Sequence, residues 1–170
     1  MKPNKGFSLV ELLIVIVVIA IVAIIAIPNL LTARRAANEG SAISSLRTLH
    51  GGNMSYAASV GNGSYAGAAG SVGISSLTDL AEARLIDQQL GTGDKSGYDF
   101  VGDRIDSNPA EPETFYFATN PSTFTGLLMT GTKRFGVETE GVIRSDAAPA
   151  DLGIPFDEIS LPLAQPINNQ

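Results

Sequence analysis

The chain has 170 residues, of which 44% are hydrophobic and 16% charged, and its length suits one domain plus an anchor. It carries no cysteine, which excludes a disulfide framework and a thiolate metal site. The formal net charge of −6 argues against a nucleic-acid surface, because phosphate binding is driven by clustered Lys and Arg.

The chain opens with MKPNKG, which is short, polar and basic. Residues 12–27 are then apolar without exception, and a single acid, Glu11, stands near the start of that run. About 20 apolar residues at 1.5 Å rise cover the hydrocarbon core of a bilayer, so the run is long enough to span one. A secretory signal peptide has a shorter apolar region, and cleavage near Ala23 or Ala26 would be its mark. Lys2 and Lys5 flank one end and Arg34 and Arg35 the other, so positive charge does not set the orientation. An unpaired carboxylate in hydrocarbon is costly enough to need a reason.

Beyond Pro28, residues 29–59 lack proline and continue the helix. Ile43, Leu46, His50 and Met54, with Leu49 and Ala57 beside them, predict its buried face. Arg35, Glu39, Ser45 and Thr48 are expected on the opposite, wet face. Gly51 and Gly52 weaken the helix by about 1 kcal/mol each relative to alanine, and packing is expected to carry it through. Residues 60–75 read as a glycine-rich loop. Residues 76–87 read as a short helix capped by Ser76, with Leu77, Leu80, Ala81 and Leu85 as its apolar face.

Strands are expected over residues 97–105, 114–119, 132–138 and 141–145, with Phe100, Phe115, Phe117 and Phe135 supplying much of the core. VETEGVIR predicts a tight hairpin turning at Gly141, and the doublet Lys133-Arg134 marks a solvated strand face. From Asp146 onward the prolines at 149, 155, 162 and 166 exclude a central strand, and the tail is expected to run as an extended arm over the surface. The pattern predicts an α+β architecture, a long helix against a small antiparallel sheet of about four strands.

His50, the only histidine, has no second histidine or cysteine to share a metal and reads as a helix residue. No G-x-S-x-G, P-loop or H-E-x-x-H occurs, and no cofactor is called for. Asn53 and Asn62 begin glycosylation-type triplets that arise often by chance.

The string G-F-S-L-V-E, after a short basic leader and before unbroken apolar sequence, resembles the type III signal of type IV pilins and type II secretion pseudopilins. The resemblance covers residues 1 to about 35 and includes Pro28. It implies cleavage after Gly6 by a prepilin peptidase and N-methylation of Phe7. Glu11 would then direct assembly by pairing with the freed amino group of another copy, and Pro28 would permit a helix break on assembly. The implied domains are a leader (1–6), a transmembrane and filament-core half-helix (7–31), a globular pilin domain (32–145) and the tail (146–170). The implied product is a helical homo-oligomer, held in the bacterial inner membrane before the assembly machinery exports it as a surface filament.

A major pseudopilin of type II secretion is the alternative. Such proteins bind calcium near their C-terminal region, which makes Asp146, Asp151 and Asp157 weak calcium candidates. A third reading is an anchored or secreted domain or enzyme with a coincidental N-terminus.

Overall fold

The computed structural model describes residues 6–167; residues 1–5 of the expected leader and 168–170 of the tail lie outside that range. Two compact units divide the chain, Met1–Arg34 and Arg35–Gln170, and the division falls within helix α1 (Leu9–Ser59).

In the first unit the helix is apolar all round. Every large hydrophobic side chain from Leu9 to Ile27 is exposed, from 48% at Val15 to 80% at Leu9. By length and composition α1 can cross a membrane. Pro28 lies inside the helix, where it has no N–H to donate. Two neighbouring side chains bond to carbonyls of the adjoining turns, Asn29 Nδ2 to Ile25 O at 3.1 Å and Thr32 Oγ1 to Pro28 O at 3.0 Å. The helical assignment runs unbroken through residues 20–28.

In the second unit α1 buries Ala42, Ser45, Leu46, Leu49, Gly52 and Asn53. The helix passes through Gly51 and Gly52 as expected, but its buried face is rotated from the predicted one. Met54 is 44% exposed, while Ser45, placed on the wet face, is buried. Gly52 faces the Ile86 side chain, where an added Cβ would lie 3.3 Å from Ile86 Cγ2. Buried Asn53 is retained because its Oδ1 accepts the Ala66 N–H at 2.9 Å. His50 is half-buried, with Nε2 3.0 Å from Thr139 O and its ring 5.6 Å from that of Phe115.

The sheet has six strands, all antiparallel and in sequence order: β1 (Asp94–Lys95), β2 (Tyr98–Ile105), β3 (Thr114–Pro121), β4 (Arg134–Glu138), β5 (Ile143–Asp146) and β6 (Gln165–Pro166). The four expected strands are β2 to β5, within a few residues at their ends. The two additional edge strands are two residues long, too short to leave a periodic pattern. Pro166 sits on the outer strand, the position a sheet allows it. Gly141 turns the β4–β5 hairpin at φ +79°, a left-handed conformation that favours glycine.

One core gathers Leu46 and Leu49 of α1 with Phe100, Phe115, Phe117, Phe135 and Val137. Helix α2 (Ser75–Glu82) contributes Leu77, Leu80 and Ala81. Its N-cap is Ile74, not Ser76, and no side chain caps it. Ser76 is buried instead against Gly102, where an added Cβ would lie 2.5 Å from its Oγ. Leu85 falls beyond the helix, which ends before Arg84 at φ +59°. Helix α3 (Gln88–Gly91) follows, capped by Asp87 through Leu90 N–H at 2.9 Å.

The tail departs most from expectation. Leu152, Phe156 and Leu161 are buried, and the last two form a second cluster with Tyr116 and Ala118. Side chains alternate along a strand, so β3 feeds one core with Phe115 and Phe117 and the other with Tyr116 and Ala118. Gly136 makes room for the tail, since a Cβ there would be 2.5 Å from Leu161 Cδ1. Arg134, expected on a solvated face, is buried with its guanidinium 4.1 Å from the Phe156 ring centroid.

Candidate processing and assembly site

Gly6 and Phe7 precede α1, and Phe7 is 88% exposed. Among the described residues the Gly6–Phe7 peptide bond belongs to no helix or strand. Ser8 immediately precedes the helix, and its backbone N–H donates to Glu11 Oε2 at 2.9 Å. This is half of a capping box, in which an acid in the first turn satisfies a backbone donor that the helix leaves free. The partial positive charge of the helix N-terminus favours a carboxylate there as well.

Glu11 thus has a partner within its own chain. The sequence reading missed it, although S-L-V-E carries the signature of a Ser followed three residues later by Glu. Glu11 lies four residues from Phe7, so a freed Phe7 amine would enter the neighbourhood of a carboxylate already held at the helix end.

The acids of the tail region are engaged otherwise. Arg134 Nη2 lies 2.8 Å from Asp146 Oδ2 and 3.6 Å from Asp151 Oδ2. The Ala148 N–H, with help from Arg134, holds the Asp146 carboxyl below its ordinary range. Asp157 closes its own turn, accepting from the Ser160 hydroxyl at 2.6 Å and the Ser160 N–H at 2.7 Å, and these bonds lower its pKa. Among the described residues no group of three or more His, Cys, Asp or Glu could hold a metal ion.

The prokaryotic N-terminal methylation motif matches residues 1–27. No curated protein and no solved structure matches the chain. The motif implies processing by a prepilin peptidase and assembly into a pilus or pseudopilus, and the apolar helix fits membrane anchoring before assembly. The motif matched over residues 1–27, at the head of an exposed apolar helix, is the prepilin signal of the type IV pilins and pseudopilins.

Proposed function

We propose that this chain is the structural subunit of an extracellular type IV pilus filament, serving adhesion, motility or DNA uptake, and not an enzyme. The observation that carries the reading is the run of exposed apolar side chains from Leu9 to Ile27, which lies within the methylation motif. Such a surface needs a partner from outside the chain. A bilayer supplies it first, and the helices of sister subunits supply it in the filament.

In this reading Gly6 and Phe7 are the processing site. Glu11 releases the Ser8 N–H of its own chain and accepts the methylated Phe7 amine of the next. That exchange replaces a bond from an uncharged backbone donor with one in which both partners are charged. Pro28 marks where the helix opens on assembly. The same signal serves a major pseudopilin. The guanidinium of Arg134 already bridges Asp146 and Asp151, which supports the pilus over a calcium-dependent pseudopilin.

Peptide mass spectrometry on filaments sheared from cells at native expression tests the proposal. A chain beginning at methylated Phe7 is expected. A chain cut near Ala26, or one confined to short periplasmic assemblies, overturns it.

A further inference from the structure

Between β3 and β4 the chain makes a loop with an unusual composition. Residues 122–132 contain no charged side chain, yet Leu127 and Leu128 are 69% and 73% exposed. The loop is closed on itself: Thr130 N–H donates to Thr123 O at 2.8 Å, and Thr123 N–H to Thr130 Oγ1 at 3.2 Å. Gly126 turns its tip at φ +80°. It is also clamped to α1. Glu39 accepts from Thr132, Asn38 donates to Thr130 O at 2.9 Å, and Arg35 donates to Met129 O at 3.3 Å and Leu127 O at 2.8 Å.

The order of those bonds fixes the direction of the loop. Moving from Thr132 to Leu127 the helix partner moves from Glu39 to Arg35, the first residue of the second unit. Side chains on a helix lean toward its N-terminus, so the Arg35 guanidinium leans the same way. Arg35 is four residues from Leu31, and four residues of chain reach at most about 14 Å, whatever their conformation. The loop tip is therefore tethered close to the end of the segment that enters the bilayer.

We infer that the 122–132 loop docks on the bilayer surface before assembly, with Leu127 and Leu128 inserted at the headgroup–acyl boundary. The inference rests on the anchoring part of the reading above. Exposed apolar patches mark interaction surfaces, and a boundary of low polarity admits backbone only where its polar groups are satisfied. Arg35 satisfies the Leu127 and Met129 carbonyls in advance. Arg34, exposed beside it, suits anionic headgroups. These features favour a lipid surface over a second copy of this largely acidic chain.

The chain has no cysteine, so single-cysteine variants of the full chain give unique labelling sites. We would label Ile19→Cys, Leu128→Cys and Ala58→Cys with an environment-sensitive fluorophore. Each would be reconstituted into phosphatidylethanolamine–phosphatidylglycerol vesicles with and without brominated lipid. The expected result is strong quenching at position 19, quenching with a blue shift at 128, and neither at 58. Quenching at 19 with none at 128 beyond that at 58 overturns the docking and leaves the anchor standing. A blue shift at 128 that grows with protein density but resists brominated lipid also overturns it, in favour of a second copy. Loss of quenching at 19 overturns the anchor and the docking together.

Discussion

The two parts of α1 that belong to different units meet the same problem in opposite ways. In the first unit the helix leaves its Val, Ile and Leu side chains exposed on all faces. In the second it turns a narrow stripe of Ala42, Leu46, Leu49, Gly52 and Asn53 into a core supplied by its own sheet. The first surface is satisfied only from outside the chain, so changes there should alter assembly and not folding. The second is satisfied internally, so changes there should alter stability and leave membrane insertion intact.

The largest effect is expected at the head of the first unit. Glu11→Ala should abolish filaments seen by electron microscopy while leaving the thermal unfolding of the full chain in detergent unchanged, because its bond to the Ser8 N–H is local to the start of the helix. Normal filaments from that variant would break the comparison.

In the second unit Phe117→Ala should cost about 3–5 kcal/mol in denaturant unfolding, the usual range for a buried aromatic in a packed core. Leu161→Ala sharpens the same contrast. A tail lying loosely on the surface would make it neutral, whereas a tail forming a second core should make it cost about 2–5 kcal/mol.

Acid should act through Asp146. Its carboxyl is held below the ordinary value of 3.8 in the folded chain. The stability it contributes is therefore fully present above that value and lost as pH falls through the folded pKa. Asp146→Asn should weaken the fold at neutral pH, by leaving buried Arg134 short of its counter-charge, and flatten the acid limb of a stability-versus-pH curve. The smallest effect is predicted for Met54→Ala, within about 0.5 kcal/mol, because Met54 faces solvent. Leu49→Ala one turn earlier should cost several times more, and equal costs would return the helix to its originally expected face.

The prepilin signal was legible in the sequence. The Ser8–Glu11 bond went unread, although a capping box needs only a Ser and a Glu three positions apart. The loop that clamps onto Arg35 was not legible, because its bonds join residues more than ninety positions apart. Arg35 and Glu39 looked like a solvated face, and each instead holds a distant backbone.

By itself the sequence determined what depends on neighbours along the chain. These are the apolar run and its processing signal, the four longer strands, the Gly141 hairpin and the four core phenylalanines. Tertiary structure decided which side of α1 is buried, how Arg134 is paired and what the tail covers. Those outcomes depend on which side chains pack across from one another. Gly52 leaves room for the Ile86 side chain and Gly136 for that of Leu161 by lacking a Cβ, and no periodicity along one segment records what will lie across from it.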